Sequence, residues 1–134
     1  MATLVFDQEY RIARDTPSDI NEHIEVLKNL ADSVEHVTEM GTRTGVSTRA
    51  FLAADVTLRA SELCLEGDVS HLFELARTEG KDAQSIESNV LETEIDETDL
   101  LFIDTWHCYD QLFAELTKHA PKVKKYIAFH DTQT

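Results

Sequence analysis

Apolar positions along this chain recur in two rhythms. Ile20, Ile24, Leu27 and Leu30 lie three and four residues apart, which predicts a helix with one buried face. Thr16-Pro17-Ser18-Asp19 precedes them and reads as its start, with Thr16 as N-cap and proline at the first helical position. His36–Met40 reads as a first strand, followed by a glycine-bearing turn over Gly41–Gly45 and a helix from Val46 through Phe51 and Leu52. Val56–Ala60 predicts a second strand. Asp68 then reads as the N-cap of a helix through Leu72, Phe73, Leu75 and Ala76 that stops at Gly80. Ala83–Ile86 predicts a third strand. Asp99–Asp104 (DLLFID) is apolar along its length, as a central strand covered on both faces would be. Tyr109–Leu116 predicts a helix, Pro121 breaks the chain, and Lys125–Phe129 predicts a fifth strand. The segment around Leu4–Phe6 is expected either to add a short strand or to pack on the body. Alternating strands and helices without repeats or linkers predict an α/β fold with a parallel sheet.

The turn between the first strand and its helix is the most informative stretch. It reads Glu39-x-Gly41-x-x-x-Gly45. Glycines admit positive φ and close backbone approach, and the helix start beyond them offers free N–H groups and a positive dipole end. The stretch lacks the lysine of a phosphate-cradling loop and is not the strict dinucleotide spacing, which counts against a nicotinamide cofactor. Glu39 stands where a phosphate site would avoid negative charge. An acid there suits a ligand with an amine or a sulfonium, and S-adenosylmethionine carries both. An ordinary strand-to-helix turn with two glycines is the competing reading. Glu62, just past the second strand, stands where an acid accepts ribose hydroxyls in a doubly wound fold.

The chain carries 26 acids against 12 lysines and arginines, a net charge of −14. Such a surface repels phosphate backbones, so nucleic acid is excluded as a direct partner. Hydrophobic residues make up 42% and charged residues 28%, which predicts one globular domain over residues 1–134. No apolar run approaches a membrane span and the N-terminus lacks a signal-peptide pattern, so the expected partner is not a membrane and the expected location is cytoplasmic. Cys64 and Cys108 form no metal spacing and read as free thiols. His23, His36, His71 and His119 share no pattern and are expected at the surface.

The stretch EHVTEMGTRTGVSTRAFL (Glu35–Leu52) resembles the first motif of class I S-adenosylmethionine-dependent methyltransferases. Residues Asp99–Thr132 resemble the fourth and fifth strands of the small-molecule, catechol-type O-methyltransferases. The resemblance implies a Rossmann-like, doubly wound, mainly parallel sheet of about five strands, truncated relative to the full fold. It implies cofactor binding at Glu39, Gly41, Gly45, Ser47 and Glu62, with Asn89 near the adenine where the family often has an aspartate. Asp104 and Asp131 fall at metal-ligand positions of the family, with His130 or Thr132 at the third. Mg²⁺ or a similar divalent cation would suit such ligands. His107 takes the place of the family's catalytic lysine, and a histidine is a workable base for a hydroxyl proton. The plainer reading makes His130 and Asp131 a strand-end cap and Trp106 core filler.

The function implied is methyl transfer to a small hydroxylated acceptor, with a non-catalytic S-adenosylmethionine-binding or interaction module as the alternative. The resemblance also implies an open edge at the fifth strand. That edge is expected either to pair with another copy, giving a homo-oligomer, or to be covered by the segment around Leu4–Phe6. Gly41→Val is expected to abolish ligand binding in a chain that still folds.

Overall fold

The computed structural model describes residues 4–105 and 109–130. Helix α1 spans Leu4–Asp15 and α2 spans Ile24–Asp32. Strand β1 (His36–Met40), α3 (Val46–Ala53), β2 (Thr57–Glu62), α4 (Gly67–Thr78), β3 (Ala83–Glu87), β4 (Thr98–Ile103), α5 (Tyr109–His119) and β5 (Val123–Phe129) follow. All five strands lie in one sheet in the order β3-β2-β1-β4-β5. Every pairing is parallel. This is the Rossmann-like sheet expected from the chain.

Strand β4 shows why the layers form. Successive side chains of a strand point to opposite faces. Leu100 and Phe102 enter one cluster with Val37, Leu58, Phe51 of α3 and Phe73 of α4. Leu101 and Ile103 enter another with Met40, Val90, Ile95 and, at its margin, Leu112 and Leu116 of α5. Helices α1–α4 thus cover one face, and α5 with the loop after β3 covers the other. Phe51 and Phe102 meet edge to face at 5.7 Å, and full burial of each such ring contributes about 1.5–3 kcal/mol.

The N-terminal segment is a helix and not a strand. Phe6, Tyr10 and Ala13 are its buried positions, and their i, i+4, i+7 spacing lines one helical face. Helix α1 packs on α3, where Arg49 Nε meets Glu9 Oε1 at 2.9 Å. It therefore does not cover the β5 edge, and that expectation is overturned. Thr16 does not cap α2 either. Its hydroxyl donates back to Ile12 O at 2.6 Å and closes α1. Ser18 Oγ accepts from Asn21 N at 3.0 Å and Asn21 Oδ1 accepts from Ser18 N at 3.0 Å, so the α2 start is displaced to a short 3-10 turn over Asn21–His23. Helix α4 starts two residues earlier than expected, with Glu66 as N-cap and Asp68 in its first turn. Residues 106–108 and 131–134, which include Trp106, His107, Cys108, Asp131 and Thr132, lie outside the described residues.

Two histidines expected at the surface are drawn inward. His119 is 1% exposed, and its Nε2 lies 2.8 Å from Val90 O. Burial lowers its pKa, so it is neutral and donates from Nε2. Helix α5 runs on past Leu116 and carries it there. His36 is half-buried, with Nδ1 2.8 Å from Thr98 Oγ1, and burial lowers its pKa too. No described helix is long and apolar enough to cross a membrane.

Candidate functional site

A cleft of about 690 Å³ opens at the carboxyl ends of β1, β2, β3 and β4, where the loops of an open parallel sheet converge. Its wall takes Gly41, Thr42, Arg43, Thr44 and Ser47 from the first turn. It takes Ser61, Glu62, Leu63 and Cys64 from the end of β2, Ser88 and Asn89 from the end of β3, and Asp104 and Thr105 from the end of β4. Five residues expected to act together, Gly41, Ser47, Glu62, Asn89 and Asp104, thus share one cleft. Cys64 is exposed there as a free thiol.

Glu39 and Gly45 lie behind that wall. Glu39 is fully buried. Ser47 Oγ donates to its Oε2 at 2.6 Å and Thr48 Oγ1 to its Oε1 at 2.9 Å. Burial pushes its pKa up to about 8 against the pull of those hydroxyls, with Asp104 and Glu62 adding to the rise. Glu39 therefore braces the start of α3, and Ser47, which it holds, faces the cleft.

Both glycines have φ of 87°, and each answers to the protein's own packing. A Cβ on Gly41 would stand 2.1 Å from the carbonyl oxygen of Asp104. Here β1 is held on both sides: Gly41 N donates to Ser61 O at 2.8 Å and Asp104 N to Met40 O at 2.7 Å. The bareness of Gly41 lets β1 and β4 close at the cleft floor. A side chain there strains the sheet, which departs from the expectation that Gly41→Val leaves the fold intact. A Cβ on Gly45 would meet Arg49 Nη1 at 3.0 Å, Val69 Cγ2 at 3.2 Å and Leu72 Cδ1 at 3.3 Å. Gly45 therefore lets α3 pack on α4.

Glu62 is the last residue of β2. Its Oε1 accepts from Arg43 N at 2.8 Å and Thr42 Oγ1 at 3.5 Å, and its Oε2 accepts from Leu63 N at 2.9 Å. Asn89 Oδ1 accepts from Leu91 N at 2.9 Å, which orients its amide nitrogen away from that loop amide. Asp104 is 3% exposed. Arg43 Nε lies 3.2 Å from its Oδ1, and His130 Nδ1 lies 3.6 Å from the same oxygen. So β4 and β5 bring Asp104 and His130 together, as expected of adjacent strand ends, while Asp131 and His107 lie outside the described residues. Among the described residues no three His, Cys, Asp or Glu side chains converge as an ion site. Asp104 Oδ1 already faces a guanidinium.

Sequence reasoning passed over three groups. Arg43 lines the cleft with φ of 48°, in the left-handed region; a basic residue between the two glycines was the only signal. Gln111 also lines the cleft, and Thr105 stands beside Asp104. Both donate to Oε2 of the fully buried Glu115, Gln111 Nε2 at 2.9 Å. Glu115 lies at a helix position that a periodicity reading assigns to solvent.

No family profile and no curated protein matches the chain at the level of sequence. Solved structures do. A proposed caffeoyl-CoA O-methyltransferase from Staphylococcus aureus superposes with a TM-score of 0.65 and 19% identity, over 91% of this chain and 63% of that one. The 1,6-didemethyltoxoflavin-N1-methyltransferase of Burkholderia thailandensis, solved with S-adenosylhomocysteine, superposes at 0.63 and 16% identity, over 90% and 55%. The chain has the class I methyltransferase fold. The magnesium protoporphyrin IX methyltransferase of Synechocystis PCC 6803, solved with S-adenosylmethionine, matches at 0.50 and 14% identity, over 75% and 56%. The chain thus spans between 55% and 63% of the length of these methyltransferase-fold structures.

Proposed function

We propose that this chain binds S-adenosylmethionine in the cleft and transfers its methyl group to a small hydroxylated acceptor. The observation that carries the reading is the shared cleft: the glycine turn, Glu62, Asn89 and Asp104 stand in sequence around it, at the ends of β1, β2, β3 and β4. Glu62 takes the ribose hydroxyls, Asn89 the adenine edge, and the turn with Ser47 at the start of α3 takes the methionine portion. Glu39, beneath Ser47, adds an acid behind the cationic part of the ligand. The neighbours solved with S-adenosylmethionine or its demethylated product support this choice of cofactor.

The acceptor stands on the Asp104, Thr105 and Gln111 side. Its hydroxyl oxygen attacks the sulfonium methyl, a C–O bond forms and the C–S bond breaks. The bonding pair goes to sulfur, which leaves as the neutral thioether of S-adenosylhomocysteine. The proton goes to a base, for which His107 is proposed, and the chain acts mainly by holding the two reactants in line.

Calorimetric titration tests the reading. S-adenosylmethionine is expected to bind and NAD to give no heat. Glu62→Ala should weaken S-adenosylmethionine by about 10-fold or more, since it loses a charge-assisted contact. Wild-type protein that ignores millimolar S-adenosylmethionine ends this proposal.

A second copy is proposed as partner at β5. The strand pairs with β4 on one side. Tyr126, Ile127 and Phe129 are 43%, 39% and 56% exposed, and alternation sends them to both faces. Phe113 of α5 is exposed as well. An edge with open backbone groups and apolar side chains on both faces is a template for strand pairing. Lys124 and Lys125 make it one of the few basic stretches of a strongly acidic chain, so two copies repel least there. Light scattering across a concentration series is expected to show a dimer that Ile127→Lys dissolves. A monomer at every concentration would refute it.

A further inference from the structure

The loop that follows β3 supplies one wall of the cleft through Ser88, Asn89 and Val90, and helix α5 grips that loop from behind. Between residues 88 and 97 only Val90 and Ile95 are buried. Asn89 shapes the near end of the loop. Its Oδ1 accepts from Leu91 N, and its carbonyl accepts from Glu92 N and Thr93 Oγ1, each at 2.9 Å. The next carbonyl, Val90 O, accepts from His119 Nε2 of α5 at 2.8 Å. His119 is its one hydrogen-bond donor among the described residues. At the far end, Lys122 Nζ donates to Ile95 O at 2.7 Å. Lys118 and Lys122 also reach the Glu94 carboxylate, at 2.6 and 3.1 Å.

These links differ in weight. The Glu94 side chain is 73% exposed, and ion pairs open to water stabilise little. The bond from His119 to Val90 O is buried, so the carbonyl has no water in reach, and a buried carbonyl without a donor is costly. His119 itself does not line the cleft. It acts on the cleft through the loop. We propose that His119 is a positioning residue for the bound ligand. Its Nε2–H holds Val90 O and so fixes Asn89, one residue earlier, at the adenine end of the cleft. The identity of the ligand rests on the S-adenosylmethionine reading. The grip of α5 on the loop does not.

The test is a calorimetric titration of S-adenosylmethionine into the full chain and its variants. His119→Phe keeps a ring and removes the N–H. It is expected to weaken binding about 10-fold, as Val90 O turns to water and takes Asn89 with it. His119→Gln offers an amide N–H at similar reach and should return affinity to within about 3-fold of wild type. In an Asn89→Ala background His119→Phe should add little, since both act on one contact. Should His119→Phe not fold, His119→Asn, whose amide stops short of Val90 O, takes its place with the same expectation. Hydrogen exchange without ligand follows the Leu91 and Glu92 amides, which donate to Asn89. Their exchange should quicken in His119→Phe and slow again in His119→Gln. The proposal is overturned if His119→Phe binds as wild type does, if His119→Gln is equally weak, or if the His119 and Asn89 effects add in full. Wild type that ignores S-adenosylmethionine ends the cofactor reading. The grip of α5 is then judged by exchange alone: quickening in His119→Phe upholds it, and unchanged exchange overturns it.

Discussion

Gly41→Ala is expected to destabilise the chain by about 2–5 kcal/mol, a large share of the ~5–15 kcal/mol that holds a domain folded. Two effects add. A side chain at φ of 87° costs about 1–2 kcal/mol. The new Cβ would also sit 2.1 Å from the Asp104 carbonyl oxygen and 2.6 Å from its carbon. Relief requires β1 and β4 to part, and overpacking of this kind costs about 1–3 kcal/mol. The backbone can yield little, because Met40 O and Gly41 N are both committed to neighbouring strands. Gly45→Ala shares the positive φ, but its Cβ meets only side-chain atoms at 3.0–3.3 Å. It should cost no more than about 1–2 kcal/mol. Urea unfolding of the two variants beside wild type checks this. Equal losses would mean that φ alone decides, and that the close approach to Asp104 is relieved without effort.

The second large effect is a dependence on pH centred on Glu39. Its carboxyl has a pKa of about 8 in the folded chain against 4.5 for the free group. A raised pKa means that the folded state holds its proton more tightly than the unfolded state. The stabilisation is complete below pH 4.5. It falls away between pH 4.5 and 8, where only the unfolded state is ionised, and is flat above that. The swing is on the order of 5 kcal/mol. Glu39→Gln keeps the shape and a neutral amide for Ser47 and Thr48, and removes the titration. Its stability relative to wild type should therefore rise with pH through this window and level off beyond it. Thermal unfolding of both proteins from pH 4 to pH 9 provides the check, and a difference that stays constant with pH would rule the account out. Saturating S-adenosylmethionine should move the window downward if its cationic part lies over Ser47.

Much of the frame is written in short-range pattern. The apolar run Asp99–Asp104 made β4 a central strand, and Thr98–Ile103 is indeed buried throughout. The glycine turn between His36–Met40 and Val46 marked the cleft, and alternation of strands and helices led to a parallel sheet, in which β1 lies beside β4. These features are legible because periodicity and turn chemistry act over a few residues. Helix α1 shows where local reading stops. Leu4–Phe6 left a short strand and packing on the body both open, and contact with α3 selects the second, with Phe6, Tyr10 and Ala13 as one helical face.

The properties of the site itself arise from contacts between distant segments. Arg43 and Thr105 stand 62 positions apart, and nothing near Arg43 announces a left-handed backbone or an aim at Asp104. Glu39 carries the same letter whether it faces a ligand or lies sealed behind Ser47 and Thr48, and its pKa follows from that burial. Residue types and their order determined the sheet and the place of the cleft. The tertiary structure alone decided which groups are charged, which are anchored and which face the opening, because desolvation and close approach exist only once the strands have come together.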